Sequence, residues 1–440
     1  MAMQADGLEF IETAAGPLGW FYVAACALNV GAAAYWLGRR KRLPALVWLA
    51  VAAAFGLLAG WAFRGHPPAV PEAIKSALDG ALGPVTLTAG SLAVLSALYL
   101  GRRFFVRPGV AWAGCNLSLA FLGASMTDPH FAKVVTAPDN VPIVAMVYLL
   151  GFFTWLGASQ AVTNDRRIAQ GRGPVEGDYR DTVLVWPDLV YIELITMVML
   201  TALLIVWSLV LRAPLEQPAN PVVTPNPSKA PWYFLGLQEM LVFFDASIAG
   251  VILPLLIIFG LMAIPYLDFN DKGSGYYTIA QRRFSYLVFQ FGFLQLWILL
   301  ILIGTFMRGP NWNFFGLYEY RDPHKVLAQE NVKLSEYFWN IGFGRTVPHP
   351  APGSGTLAQL GTIAWREIAG IVVLVAYFGL LPGILGRTAL RHFRDRMGPG
   401  RYTIMALLLL MMFMLPLKML LRWSLNLSYL VSIPEYSFNF

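Results

Sequence analysis

The sequence is 440 residues long, 57% hydrophobic and only 13% charged, with a mean hydropathy of +0.58. Soluble globular domains carry about 25% charged residues, so the composition excludes a soluble enzyme and implies an all-α, polytopic integral membrane protein. The formal net charge of +7 sits in short clusters between apolar runs, the pattern of cytoplasmic loops rather than of a nucleic-acid-binding surface.

A spanning helix needs about 20 mostly apolar residues. That rule marks about ten transmembrane helices, at 18–38, 44–63, 84–101, 109–125, 141–162, 187–211, 247–267, 285–307, 364–386 and 403–423, of which the third and fourth are short. The opening stretch, MAMQADGLEFIETAAGP, is acidic and has no basic region ahead of the first apolar run, so no cleavable signal peptide is expected. Cys26 and Cys115 fall inside apolar runs and there is no Cys-x-x-Cys-His. They read as buried structural thiols, and no metal site is expected in this chain.

Lys and Arg set the orientation. Arg39, Arg40, Lys41 and Arg42 follow the first span, Arg102, Arg103 and Arg107 the third, and Arg166, Arg167, Arg172 and Arg180 the fifth. Lys272, Arg282 and Arg283 follow the seventh; Arg387, Arg391, Arg394, Arg396 and Arg401 follow the ninth. Every odd-to-even connection is basic, so these face the cytoplasm and both termini face the periplasm of a bacterial inner membrane. Between 163 and 186 a polar cytoplasmic linker divides an N-terminal five-helix region, 1–162, from a C-terminal membrane domain, 187–425, with a periplasmic tail at 426–440. The sequence suggests no role for the five N-terminal spans.

The periplasmic loop between spans six and seven, 212–246, is marked by Pro214, Pro218, Pro221, Pro225, Pro227 and Pro231 and runs into PWYFLGLQEMLVFF. Proline fixes φ and interrupts helices, so the loop should be stiff, with its Trp and Tyr in the membrane interface. Two other periplasmic segments invite a partner or a plain connection: TDPHFAKVVTAPDNVP at 127–142 is rich in turn signals, and 308–363 carries the aromatic cluster RGPNWNFFGLYEY. The methionines of the last span read as packing residues, and Lys418 and Arg422 as side chains that snorkel to the surface.

The stretch VWPDLVYIELITMVMLTALLIVWSLVLRAPLEQPANPVVTPNPSKAPWYFLGLQEML resembles the C-terminal part of cytochrome b and subunit IV of the plastoquinol-oxidising complex. In that family a span leads into a proline-marked segment and then a Pro-Glu-Trp-Tyr motif that helps to form the quinol-oxidising pocket. The matching residues here are Ala213, Pro214, Pro218, Ala219, Asn220, Pro221, Thr224, Pro225, Ala230, Pro231, Trp232 and Tyr233, and IPYLDFN at 264–270 fits the end of the next span. The resemblance covers roughly 183–310 and extends weakly towards 425. It departs at one position, where Pro231 stands in place of the family's glutamate.

What the resemblance implies is a subunit of a bc-type complex with quinol or quinone as substrate. Lys229, Pro231, Trp232, Tyr233 and Phe234 would shape the quinol site, and Glu239 would accept a proton in place of the missing glutamate, with Asp245 as the alternative. Haem-binding halves of cytochrome b hold two histidines per haem deep in their helices, whereas His66, His130, His324, His349 and His392 all fall in expected loops. The expectation is therefore a haem-free chain, with haem b, haem c and an Fe–S cluster in partner subunits: a haem-bearing cytochrome b N-terminal-like subunit, and a Rieske iron–sulfur protein or c-type cytochromes. Asp188 and Glu193, at the cytoplasmic start of span six near Arg180, are a candidate proton or quinone site, because ionisable groups inside membranes are costly. The rivals are a purely structural subunit and a transporter, the latter disfavoured by the absence of an internal repeat.

Overall fold

The computed structural model describes residues 2–178, 182–211, 218–273, 275–326 and 331–440. Arg180, Ala213 and Pro214 lie outside the described residues. Eight of the described helices are long and apolar enough to cross a membrane: Glu9–Gly38, Arg42–Phe63, Val141–Ala169, Val185–Val210, Ile248–Leu267, Arg283–Met307, Ile368–Arg387 and Arg391–Leu425. Two bent pairs supply the third and fourth spans and bring the number to ten: Glu72–Ala81 with Pro84–Leu100, at 92°, and Pro108–Ser125 with Pro129–Val135, at 117°. A proline opens the second arm of each pair, where a missing N–H costs nothing and the fixed φ suits a new helix. The chain is a multi-pass membrane protein.

Loops expected to share a side of the membrane do meet. At the basic end, Asn164 Nδ2 donates to Tyr277 O at 3.1 Å. Asp165 accepts the N–H groups of Ile279 and Ala280 at 3.1 and 3.0 Å, and Arg282 pairs with Asp268. At the other end, Lys75 pairs with Asp128 at 2.8 Å, Asp79 accepts Tyr318 N–H at 3.0 Å, and Ser125 and Tyr318 share a hydroxyl contact of 2.8 Å. Phe131 stacks on Tyr318. The 127–142 segment is thus largely the bent arm of the fourth span, with Asp128 accepting the N–H groups of His130 and Phe131 as its cap.

Each half has its own core. Spans one and two pack through small residues, Ala25, Ala33, Ala45, Ala52, Ala59 and Ala62, which let backbones approach closely in lipid. Tyr22 lies against Gly123 of the fourth span, where a Cβ would come within 2.7 Å of the ring. The C-terminal core gathers Phe243, Phe244, Leu300, Met414 and Met419, so two of the tenth span's methionines do serve packing.

Several boundaries differ from expectation. The fifth helix runs on to Ala169, because its polar last turns bind the linker and the 277–280 loop instead of ending at 162. The tenth begins at Arg391 but breaks at Gly398, φ 75°, ahead of Pro399, leaving the apolar part close to the expected 403–423. The tail is not loose. Leu427–Tyr429 pairs with Val332–Lys333, and Ser432–Ile433 with Phe438–Asn439, while Arg366 grips Glu435 at 2.7 and 2.9 Å. Cys26 and Cys115 are half-buried and free rather than fully buried. Lys418 does not snorkel to the surface: it is fully buried, donating to Ser428 O at 2.5 Å, with the Phe244 and Tyr429 rings each 5.7 Å away. Arg422, 8% exposed, likewise turns inward to Asn331 and Asn426 O. In a low-dielectric layer these carbonyls and rings take the place of water around the cations.

Candidate functional site

The proline-marked segment ends in a short helix, Trp232–Met240, lying against the eighth span. Pro231, at φ −51° and ψ 146°, brings the chain in extended and cannot prolong the helix backwards. Gln238 then fastens the helix to the strand of chain before it. Its Oε1 accepts Ala230 N–H at 2.8 Å and its Nε2 donates to Ser228 O at 2.8 Å. Gly236 faces the eighth span, where a Cβ would make ordinary contact, 3.4 Å from Ile301 and 3.7 Å from the Trp297 carbonyl.

Helical periodicity sets two of the three rings apart from the acid. At about 100° per residue, Tyr233 and Phe234, six and five places before Glu239, lie some 120° and 140° round the helix from it, whereas Trp232, seven places before, opens the helix on nearly the same side. Trp232, Tyr233 and Phe234 point outward, 41%, 49% and 50% exposed, whereas Leu235, Gly236, Glu239 and Met240 are buried. The three rings form a step-wise patch, Trp232 edge-on to Tyr233 at 5.6 Å and Tyr233 tilted on Phe234 at 4.7 Å.

Glu239 is wholly enclosed. Arg308 Nη2 donates to its Oε1 at 2.6 Å and Arg308 Nε to its Oε2 at 2.9 Å, while Trp312 Nε1 donates to Oε2 at 3.2 Å. Arg308 Nη1 closes the ring on Trp312 O at 2.8 Å. For Glu239 to take a proton from a bound quinol, Arg308 would first have to move away. Asp245, the alternative, accepts from Asn439 at 3.0 Å and from Ser247, and the Asn439 bond holds its carboxyl below the usual range.

Lys229 precedes the aromatic patch by three residues. Half-buried, it donates to Thr305 O at 2.8 Å. Burial, reinforced by Arg321 and opposed by Asp139 and Glu239, draws its ammonium down to about 8. The same loop is tied to the 308–326 segment by a reciprocal pair: Asn226 Nδ2 donates to Asn311 Oδ1 at 2.9 Å and Asn311 N–H to Asn226 Oδ1 at 2.7 Å.

Two cavities lie near the ends of the C-terminal spans. One, about 370 Å³, follows the short helix and is lined by Phe243, Phe244, Trp312, Arg422 and Tyr429 among others. The other, about 360 Å³, lies at the basic end between Phe269, Arg282, Phe284 and His392. Asp188 and Glu193 line neither; both are exposed on the sixth span. Of the histidines, His130 sits in the bent arm Pro129–Val135 and His392 in the first turn of the last helix, both helical rather than in loops, while His66, His324 and His349 lie in connections.

Sequence reasoning passed over Arg308, Trp312, Gln238 and Thr305. Arg308 did leave a signal, as a lone cation directly after a span on the side poor in Lys and Arg.

Residues 218–318 match the family model described as cytochrome b (C-terminal)/b6/petD. Over this segment the chain is similar to the cytochrome b C-terminal family. The segment takes in the proline-marked loop from Pro218 onward, the short helix, spans seven and eight and the Arg308–Tyr318 stretch, so the ion pair Glu239–Arg308 lies wholly inside it. No curated protein and no solved structure matches the chain. A cytochrome b-type C-terminal domain implies a subunit that associates with others of a bc-type complex.

Proposed function

We propose that the chain is a haem-free subunit of a quinol-oxidising, bc-type electron-transfer complex in a bacterial inner membrane, and that it builds part of the quinol site on the periplasmic face. The observation that carries this reading is the family match over residues 218–318, which contains both the aromatic patch and the ion pair that holds it in place. A quinol is a flat ring with two hydroxyls on a long apolar tail. It needs apolar walls reached from lipid and a group that accepts a proton. Trp232, Tyr233 and Phe234 supply walls at the interface; Lys229, three residues before them in the extended lead-in, receives a proton in its unprotonated form. Glu239 acts as an anchor, fixing the short helix to Arg308. The electrons pass one at a time to acceptors in partner chains, a haem-bearing membrane subunit and an iron–sulfur or c-type protein, and both protons leave on the periplasmic side. In this reading the substrate of the bacterial complex is menaquinol.

One observation favours a second reading, a structural subunit: Pro231 replaces the family's acid and Glu239 is sequestered by Arg308. Purifying the native complex decides between them. The first reading expects a haem-bearing partner and quinol oxidation that falls with Tyr233→Ala. A haem-bearing complex whose turnover and inhibitor binding ignore Tyr233→Ala leaves the structural reading, and a complex with no haem protein defeats both.

A further inference from the structure

The cavity at the basic end is built where three elements meet: the close of span seven at Asp268–Lys272, the entry to span eight at Ala280–Ser285, and the first turns of the last helix at His392–Arg396. Spans seven and eight fall inside the matched segment, but the last helix lies outside residues 218–318, so this wall is the chain's own addition. At about 360 Å³ the cavity lies in the range of small-molecule sites, about 300–1,000 Å³. Phe269, Phe284 and Phe393 give it an apolar side, the Phe393 ring standing 4.5 Å from Phe284 and 5.8 Å from Phe269. Lys272, Arg282, Arg283 and Arg396 line it against two carboxylates, Asp268 and Asp271, among the described residues. Arg282 pairs with Asp268, and the remaining lining side chains keep an excess of positive charge.

We infer that this cavity binds a phosphate group, presented by an anionic phospholipid of the surrounding bilayer. Position and charge together select the ligand. Span seven ends at Leu267 and span eight begins at Arg283, which sets the cavity at the level of lipid headgroups, and Ile264 and Tyr266 just before it are exposed to lipid. A neutral ring such as a quinone gains nothing from an excess of cations. A phosphodiester gains from both sides of the cavity: its oxygens take the forked N–H groups of arginine, and its glycerol covers the phenylalanine rings. A free phosphate ester offers the same oxygens without acyl chains. The site lies at the opposite end of span eight from Arg308 and does not rest on the proposed function.

The test uses the purified full chain, delipidated and offered an equal mixture of phosphatidylglycerol and phosphatidylcholine, with the retained lipid read by native mass spectrometry. The wild type should retain phosphatidylglycerol in preference. The triple variant Lys272→Gln, Arg283→Gln, Arg396→Gln should lose that preference about tenfold or more, because each cation near the membrane surface adds to the attraction. All three side chains are exposed, so thermal unfolding without lipid should match the wild type. A control, Arg40→Gln, Arg42→Gln, Arg103→Gln, removes equal charge from exposed positions in other basic loops and should keep the preference. The second arm is inorganic phosphate at fixed ionic strength. If it raises the melting temperature of the wild type but not of the triple variant, while neither lipid is preferred, the cavity is a phosphate site whose source is free phosphate. Retention of phosphatidylglycerol by the triple variant at the wild-type level, an equal loss in the control, or indifference of the wild type to both lipid and phosphate overturns the site.

Discussion

Arg308 clasps Glu239 with two of its guanidinium nitrogens, at 2.6 and 2.9 Å, in a pair whose side chains are 4% and 1% exposed. One partner closes the eighth span and the other the short helix, so the pair joins the two elements that frame the aromatic patch. Such bidentate contacts fix direction as well as distance.

Breaking the pair on one side should therefore cost more than removing it. Glu239→Gln leaves a buried guanidinium without its counter-charge, and the loss of one member of a buried pair costs about 3–5 kcal/mol. The chain in detergent should melt well below wild type, and the double variant Glu239→Gln, Arg308→Gln should recover part of the loss. A single variant with wild-type melting would show that the pair does not anchor the helix.

The patch itself predicts a different response. Tyr233 stands between Trp232 and Phe234 and is half exposed, so Tyr233→Ala removes ring surface from the site without opening the core. Affinity for a quinol-site inhibitor should fall about tenfold, roughly the worth of one aromatic contact with its buried area, while thermal stability changes little. Inhibitor binding at wild-type affinity would remove Tyr233 from the site.

The meeting of loops at two ends gives a labelling prediction. A single cysteine at Arg172, in the linker, and one at Val222, in the proline-marked loop and 87% exposed, should react with an impermeant reagent from opposite sides of the membrane. Only the second should label in intact, outer-membrane-permeabilised cells. Labelling of both from one side would contradict the alternation of the spans.

Much of this architecture was legible in the sequence, because lipid makes helix length and loop charge strict signals. The ten spans, the short third and fourth, and the proline-marked loop all follow from them. What was not legible is where a side chain turns once the chain has folded. Glu239 stands close behind the three rings in sequence, yet its carboxylate closes on Arg308, 69 residues away. Lys418 and Arg422 were misread for a related reason: a cation near a span's end looks free to snorkel unless one knows that the chain's own tail folds back over it. Pairings between distant segments, such as Asn226 with Asn311, leave no local trace at all.

The folded-back tail should be sensitive to acid. Arg366 holds the Glu435 carboxyl down at about 2, well below its ordinary 4.5. A lowered carboxylate stabilises the fold above its ordinary value and loses that contribution as the pH falls from about 4.5 towards 2. With a third of the Glu435 side chain exposed, water screens the pair and the effect is local. Hydrogen exchange at the Leu430 and Phe440 amides, which bond across the tail, should quicken near pH 3, and Glu435→Gln should show the same quickening at pH 7. Unchanged exchange in that variant would mean that the backbone pairing alone holds the tail.

Lys229 makes the sharpest functional prediction. Its ammonium titrates at about 8 rather than 10.5, chiefly because it is buried. The charged form is the one penalised, so the folded chain carries that penalty below about pH 8 and is relieved of it as the pH rises towards 10.5. For catalysis the same titration sets the supply of free amine. At pH 6 to 7 nearly every Lys229 is protonated and cannot accept a proton; the unprotonated fraction rises about tenfold per pH unit and levels off above 8. Quinol oxidation at saturating acceptor should therefore climb with pH and flatten near 8. Lys229→Met removes the amine and should lower turnover about a hundredfold, the usual scale for loss of a proton acceptor, with the limb near 8 abolished. Lys229→Arg keeps the positive charge but not the titration, and should also lose the limb while keeping inhibitor affinity. Full activity of Lys229→Met with an unaltered pH profile would exclude Lys229 as the acceptor and leave that role to another group.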